Sequence, residues 1–340
     1  MLDNIAIVIL NWNGKDFLEK FIPTLIKFSG NNPIYIADNL SSDDSVSFLE
    51  KNYPSIIIIK NKENGGFAKG YNDALKQIKA KYYVLANSDI EVTENWINPI
   101  INLFERDSNI AAIQPKILNY YDKQIFEYAG AAGGYIDKYG YPFCRGRLFN
   151  TLETDKLQYN NAQEVFWATG ACLFIKADLF WEVNGFDEDY FAHMEEIDLC
   201  WRLKNIGYKI FVEPQSMVYH VGGGTLNKTN PRKTFLNFRN NLITYHKNTD
   251  GNFLFFKILF RVILDGVAGI KFLLEGNYKH CIAVIKAHFA YYKLLPSTTK
   301  KRKVLQQHKA FQQSSIAIYP KNIIIDYFIK GTKKFSDLKF

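Results

Sequence analysis

The chain has only four cysteines, Cys144, Cys172, Cys200 and Cys281, set far apart and with no C-x-x-C pair. That usage argues against a disulfide scaffold or a cysteine zinc site and fits a reducing cytoplasm. The opening MLDNIAIVILNWNG lacks a basic segment and a small-residue cleavage site, so no secretory signal is expected. No charge-free apolar run reaches the ~18 residues of a spanning helix, so no transmembrane segment is expected. A phosphate loop is also missing. Gly65-Gly-Phe-Ala-Lys-Gly70 is followed by Tyr71-Asn72 rather than Lys and Ser or Thr, and no G-x-G-x-x-G occurs. ATPase and Rossmann dinucleotide sites are therefore excluded. The cationic clusters are short and carry no nucleic-acid motif, so no nucleic-acid partner is expected. What is present is apolar: 47% hydrophobic and 16% aromatic over 340 residues. That is enough for a sizeable core, rules out a disordered chain, and suits one large domain with an appendage.

The net charge of +8 is unevenly spread. Residues 251–340 hold 16 Lys and Arg against 4 Asp and Glu, a net of +12, which leaves residues 1–250 at −4. A mildly acidic body thus carries a basic tail, with the boundary at the turn-like Asn248-Thr-Asp-Gly251. In the tail a helix is expected over 252–275, where Lys257, Arg261, Asp265, Lys271 and Glu275 share an arc of about 120°. A second apolar stretch, Cys281–Leu295, leads into Lys300-Lys-Arg-Lys303. Broad apolar faces with basic flanks point to peripheral contact of 251–303 with an anionic membrane surface. Helices packed on the body, or in the seam of a homodimer, are the alternative.

In the body, strand-like and helix-like segments alternate in units of about 25 residues. Strands are expected at 4–10, 33–37, 56–60 and 82–86, with helices at 15–28, 45–52 and from Asn64-Gly-Gly66 to about Lys79. This rhythm implies an α/β fold with a doubly wound, mostly parallel sheet. Polar residues gather after each strand: Asn11 and Asn13, Asp38 and Asn39, Asn64, Asn87 and Asp89. Open α/β sheets bind ligands at that edge. Residues 108–200 are richer in Gly, Tyr and Phe, with strand-like pieces at 111–114 and 171–175, and read as a completed sheet with a second pocket wall.

Several constellations can carry chemistry. The glycines at 65–70 ease a loop into a helix, whose N-terminus suits a diphosphate. Asn87-Ser88-Asp89 puts a carboxylate directly after a strand, either to hold a divalent cation or to cap the next turn. Glu195, Glu196 and Asp198 crowd at the start of an apolar helix. Such crowding raises carboxyl pKa values, as a general base requires, or merely complements the helix dipole. His220 precedes Gly222-Gly-Gly224, and is either structural or a ligand beside a loop that moves.

Together these segments resemble family 2 glycosyltransferases, the inverting, nucleotide-sugar-dependent kind with a GT-A fold. The resemblance rests on Ile-Leu-Asn-Trp-Asn-Gly (9–14), Ala-Asp-Asn-Leu-Ser (37–41), Asn-Gly-Gly-Phe-Ala-Lys-Gly-Tyr-Asn (64–72), Asn-Ser-Asp (87–89), Thr-Gly-Ala-Cys (169–172), Gly-Phe-Asp-Glu (185–188) and Glu-Glu-Ile-Asp-Leu-Cys-Trp-Arg (195–202), in the family's order. The most similar subgroup includes rhamnosyltransferases of bacterial surface polysaccharides. The resemblance implies that Leu10, Asn11, Trp12 and Asp38 border the base and ribose, and that Asn64, Gly66 and Asn72 line the diphosphate. Asp89, after Ser88, matches the last residue of the family's D-x-D-type element and would hold Mg²⁺ or Mn²⁺, with His220 as a further contact. The first acidic position of that element is Asn87 here. The segment around Trp167–Ala171, Gly170 included, would face the acceptor, and Arg239 a phosphate. Glu196 stands where the family has the Asp that deprotonates the acceptor, with Glu195 as a substitute and Asp198 beside them.

The implied protein is a cytoplasmic enzyme at the inner face of the plasma membrane. It would move a sugar from a nucleoside diphosphate to a glycan or lipid-linked acceptor. A nucleotidyltransferase making a sugar nucleotide would instead favour a glycine-rich basic loop where this chain has Asn11-Trp-Asn-Gly14. The Asn87 and Glu196 departures leave room for a non-catalytic sugar-nucleotide-binding relative.

Overall fold

The computed structural model describes residues 3–222 and 230–340. The glycine run expected to move lies outside these residues apart from Gly222.

The alternating rhythm folds as read through the first four strands. β1 (Asp3–Asn11), α1 (Lys15–Phe28), β2 (Ile34–Asp38), α2 (Ser45–Asn52), β3 (Ile57–Lys60), α3 (Gly66–Leu75) and β4 (Ala80–Asn87) wind a parallel sheet in the order β3-β2-β1-β4. β1 reads as a continuous apolar run because both of its faces are buried. Ile7 and Ile9 pack with Leu18 and Ile22 on one side, and Ala6 and Val8 with Tyr71 and Leu85 on the other. α3 stops at Leu75 rather than near Lys79, because the chain must turn before β4 opens at Ala80.

Beyond β4 the sheet is mixed rather than mostly parallel. After β5 (Ile90–Val92) and α4 (Asn98–Arg106) comes β6 (Ile110–Asn119). The small strands β7 (Gly134–Asp137), β8 (Pro142–Cys144), β9 (Arg147–Leu148) and β10 (Thr151–Leu152) build a second sheet. β11 (Gln163–Val165) and β12 (Cys172–Lys176) then return to the main one, followed by α5 (Ala177–Glu182), α6 (Glu195–Lys204) and β13 (Lys209–His220). β12 lies antiparallel between β4 and β6, and β13 runs parallel to β6. β13 is one long strand with an irregularity between Glu213 and Met217. This crossover brings the end of β13 against β5, and so His220 beside the end of β4.

The C-terminal region is helical: α7 (Pro231–Asn248), α8 (Leu254–Leu274) and α9 (Tyr278–Gln306), ending in the short β14 (Ile318–Tyr319). β14 adds a parallel strand to β7, so the tail is woven into the second sheet. The charged stripe expected on α8 exists, but its centre faces inward. Arg261 and Asp265 are each 1% exposed. Arg261 lies 3.6 Å from the Tyr141 ring centre and donates to Asn241 Oδ1 at 2.6 Å.

A buried ion cluster ties α6 to α7 and α9. Lys247 Nζ sits 2.8 Å from Asp198 Oδ1 and 2.5 Å from Asp187 Oδ2. Arg202 Nε meets Asp198 Oδ2 at 2.8 Å, and Lys301 of α9 reaches both Asp187 and Asp189. Burial opposes ionisation of Asp187 and Asp198, yet the ammonium groups hold both carboxyls below the usual carboxylate range. The stability these carboxylates lend is therefore present above ordinary carboxylate pKa values and is lost as pH falls toward the depressed ones. Lys247→Met leaves two buried carboxylates without their shared cation and should cost about 3 kcal/mol in urea unfolding at pH 7. Its deficit relative to the native chain should shrink in acid.

Candidate functional site

Register places the strand ends level. Asn11 pairs with Asp38 across β1 and β2, Leu10 with Asn87 across β1 and β4, and Asp38 with Lys60 across β2 and β3. At this edge Asn11 is fully buried and its amide nitrogen lies 3.0–3.1 Å from Asp38 Oδ1, Ser41 Oγ and Ser45 Oγ. Asn11 therefore fixes the two loops around the expected base pocket. Trp12 next to it is 47% exposed, free to lie against a ring. Leu10 packs under Gly70 of α3, and Ser88 stands close to Gly14 and Asn11.

The start of α3 is built by an asparagine ladder. Asn61 donates to Asn39 Oδ1 at 3.1 Å, Asn39 to Asn64 Oδ1 at 3.0 Å, and Asn64 Oδ1 also accepts from Gly66 N at 3.0 Å. Gly66 has φ +73°, and a Cβ there would lie 2.4 Å from the Phe191 carbonyl. That carbonyl accepts from Phe67 N at 2.6 Å and Ala68 N at 3.4 Å. The helix start expected to bind diphosphate thus has Asn64 and its first donors engaged within the protein. Asn72 is also removed from that side. It donates to the Phe186 carbonyl and Glu188, accepts from Phe186 N, and clamps the 185–188 loop.

Asp89 and His220 do meet. His220 Nε2 is 3.1 Å from Asp89 Oδ1, and its Nδ1 is 3.3 Å from Glu127 Oε2. Burial disfavours charge on His220, but Glu127 and Asp89 outweigh it and push its pKa up to about 10. Burial likewise opposes charge on Asp89, while His220 and backbone N–H groups hold the carboxyl below its ordinary range. Two carboxylates flanking the ring thus favour positive charge here, and His220 must give up its proton before it can ligate a metal ion. One carboxylate and one imidazole suit Mg²⁺ or Mn²⁺ if diphosphate oxygens complete the shell. Among the described residues no group of three or more His, Cys, Asp or Glu side chains is placed to hold a metal ion. Glu127 escapes sequence reasoning because it sits in the irregular 108–200 segment with no motif around it.

Glu195 and Glu196 open α6 after a strained loop in which Phe191, His193 and Met194 all have positive φ, 64–75°. α7 straps that loop. Asn240, fully buried, donates to the carbonyls of Tyr190, Ala192 and His193 at 2.7–3.1 Å. Arg239, expected at a phosphate, instead donates to the carbonyls of Asp189 and Tyr190 at 2.9 Å each. Asp198 is corrected in the same way: it is fully buried in the ion cluster and is held ionised as a structural anchor. Trp167 is 4% exposed, donates to the Tyr135 carbonyl at 2.9 Å and packs over Gly134, so its ring does not face an acceptor.

Glu195 is buried, and burial followed by the Glu196 charge raises its pKa well above the ordinary value, which keeps it neutral. Glu196 is half-buried and raised by burial, with backbone N–H groups of its own turn and of Gly170 opposing the rise. One oxygen of each, Oε2, has no hydrogen-bond partner among the described residues. A Cβ on Gly170 would lie 3.0 Å from the Phe67 ring and 3.7 Å from Glu196 Cβ, so Gly170 packs directly against the start of α6. A short chain of contacts links the two halves of the site. Gly170 adjoins Ala171, whose carbonyl accepts from Asn87 N at 3.0 Å, and Asn87 Nδ2 lies 3.5 Å from His220 Nε2 beside Asp89. A raised carboxyl and a cation-selecting pair therefore share one sheet edge.

The chain is similar to known proteins in sequence and in fold. Residues 6–184 match the family described as Glycosyl transferase family 2. An N-acetylglucosaminyl-diphospho-decaprenol L-rhamnosyltransferase of Mycobacterium tuberculosis is 24% identical over 238 residues, 65% of this chain and 76% of its own length. Rhamnosyltransferase WbbL of Escherichia coli is 24% identical over 225 residues, 64% of this chain and 83% of its own. Among solved structures, GalNAc-T7 with UDP, GalNAc and Mn²⁺ superposes with a TM-score of 0.55 at 15% identity, covering 72% of this chain and 48% of that one. The mannosyltransferase PcManGT of Pyrobaculum calidifontis, with GDP-Man and Mn²⁺, gives 0.51 at 11%, covering 86% and 89%. These structural likenesses bear on the fold, a mixed α/β architecture with a helical C-terminal region. With more than half of its length inside the family match, the chain belongs to glycosyl transferase family 2.

Proposed function

We propose that the protein is an inverting glycosyltransferase using a nucleoside-diphosphate sugar and a lipid-linked glycan acceptor at the inner face of the plasma membrane. The carrying observation is the half-buried, raised carboxyl of Glu196 beside Gly170, linked through Ala171 and Asn87 to the Asp89–His220 pair. The relatives named as rhamnosyltransferases, one acting on a diphospho-decaprenol acceptor, support the substrate class.

In this reading Trp12 and the Asn11–Asp38 loops receive the nucleoside, and residues 1–250 carry the chemistry. Asp89 and His220 would hold Mg²⁺ or Mn²⁺, which supplies positive charge to the departing diphosphate. Glu196 takes the proton from the acceptor hydroxyl. The acceptor oxygen bonds to the anomeric carbon as the bond to the diphosphate oxygen breaks, and the nucleoside diphosphate leaves with that electron pair. Positioning by Gly170 and proton removal by Glu196 are both needed in one step.

Nucleotide release on adding a polyprenyl-diphosphate glycan to enzyme and sugar nucleotide tests the assignment; release of pyrophosphate from NTP and sugar-1-phosphate would replace it with nucleotidyl transfer. Glu196→Gln should lower kcat about 10²–10⁴-fold with donor affinity nearly unchanged, whereas Glu195→Gln should keep most of the turnover. A comparable loss of donor binding in Glu196→Gln counts against its role as base. Because the base works deprotonated and its pKa lies above the ordinary carboxylate value, the acid limb of kcat should fall at a pH above that value. A limb at or below about 4.5 would contradict this. Chelation should abolish transfer and Mg²⁺ or Mn²⁺ restore it. Asp89→Asn should raise the cation concentration needed by about 10-fold or more, read by donor binding as well as by rate.

A further inference from the structure

The α8–α9 hairpin has its polarity inside out. Asp265 and Arg261 point into the protein, Asp265 accepting from Tyr141 at 3.2 Å and lying 3.4 Å from His288 Nε2. On the opposite side of α8, Phe256, Phe260, Ile263, Val267, Ile270 and Leu274 are 37–84% exposed. Their alternating spacing of four and three aligns them in one row along a helix about 30 Å long. α9 returns antiparallel, with Gly269 against Cys281 and Val284, and carries a matching row: Tyr278, Ile282, Ile285, Phe289 and Tyr292, 44–71% exposed. Buried Ala283, Ala287 and Tyr291 occupy the reverse face of α9, so both rows look away from the body.

The α9 row changes character along its length. The same spacing continues through Pro296 to Lys300 and Lys303, both exposed. At the change lies an open groove of about 500 Å³ lined by Tyr292, Leu295, Pro296, Thr299, Lys300 and Lys303. No helix among the described residues is long and apolar enough to cross a membrane, so this surface lies against its partner rather than through it. A second copy of the chain is a poor match, since two-fold pairing sets one segment of net +12 against another. An anionic lipid surface matches both properties, apolar rows for the acyl boundary and lysines at the depth of the headgroups.

We propose that the α8–α9 face docks flat on a bilayer bearing anionic lipid, with Lys300 and Lys303 at the headgroups. The reverse face of α9 is tied through α7 to the loop that precedes Glu196. His280 of α9 meets Thr234 of α7 at 2.7 Å, and Arg232, two residues earlier, lies 4.9 Å from the Phe191 ring that covers Gly66. This deepens the proposed use of a lipid-linked acceptor, yet its test is independent of transfer.

The full chain is sedimented with vesicles of phosphatidylcholine alone and with about 30% phosphatidylglycerol. Binding should be about 10-fold or more tighter to the anionic vesicles. Ile263→Ser with Phe289→Ser should weaken it about 10-fold. Lys300→Ala with Lys303→Ala should weaken it by a similar factor on the anionic vesicles alone. All four side chains are solvent-facing and outside the site, so circular dichroism and turnover on a water-soluble acceptor should stay as in the native chain. Equal binding by all variants overturns the proposal. So does an absence of vesicle binding together with concentration-dependent dimers that the Ile263→Ser, Phe289→Ser variant abolishes. Vesicle binding without any sugar transfer would leave the docking intact and remove only the proposed function.

Discussion

Lys247 is the constraint on which the rest of the architecture leans. Lys247 is 2% exposed and its ammonium lies between Asp187, which precedes the strained loop, and Asp198, which belongs to the helix that follows it. Two carboxylates this deep in the protein are tolerable only because their charges are matched by Lys247, Arg202 and Lys301. The cluster therefore fixes both ends of the segment 187–198 at once. Between those ends the backbone takes three left-handed residues that would not persist in isolation, and Asn240 and Arg239 hold the carbonyls of Asp189, Tyr190, Ala192 and His193 around them. Glu196 emerges from a frame determined on every side, as the proposed role of base requires.

The two carboxyls of the Glu195–Glu196 pair divide their roles by depth. Both sit at a helix N-terminus, which favours ionisation, and both are buried, which opposes it. For Glu195 burial and the neighbouring charge prevail, leaving it neutral; Glu196, nearer the surface and flanked by N–H groups, retains access to the ionised form. At the other end of the site the same opposition resolves differently. Two carboxylates, Asp89 and Glu127, outweigh burial there and raise the pKa of His220. The site thus separates a proton-accepting pole from a cation-seeking pole along one sheet edge.

Much of this was legible in the chain itself. The apolar runs at 4–10 and 82–86 mark buried parallel strands, and the polar residues after them mark the binding edge, because period and strand length are local properties. Charge crowding at 195–198 likewise reveals that something unusual happens there. What a sequence does not reveal is whether a polar side chain faces a ligand or the protein's own backbone. Asn72, Arg239 and Asp198 each have the chemistry of a ligand contact, and each is engaged by carbonyls or ion partners more than 40 residues away. Glu127 fails in the opposite direction: its place beside His220 arises only when β13 crosses back to β6, a long-range pairing that no local pattern announces.

The same limit explains α8. A helical wheel of this segment shows a charged stripe and a broad apolar face, and the usual inference sends the apolar face inward. Here Asn241 and the Tyr139 carbonyl from the body supply partners for Arg261, while Tyr141 and His288 face Asp265, so the charged stripe is the one that packs. Once those charges are satisfied inside, geometry forces the phenylalanine and isoleucine rows outward, where each exposed side chain forgoes the stabilisation of burial. α9 then joins that outer face to the ion cluster, running from the apolar row at Tyr278–Tyr292 to Lys301 on Asp187 without leaving one helix. The exposed apolar rows and the frame that sets Glu196 are therefore joined through one helix, and whatever the rows rest upon is held in a fixed relation to that carboxyl.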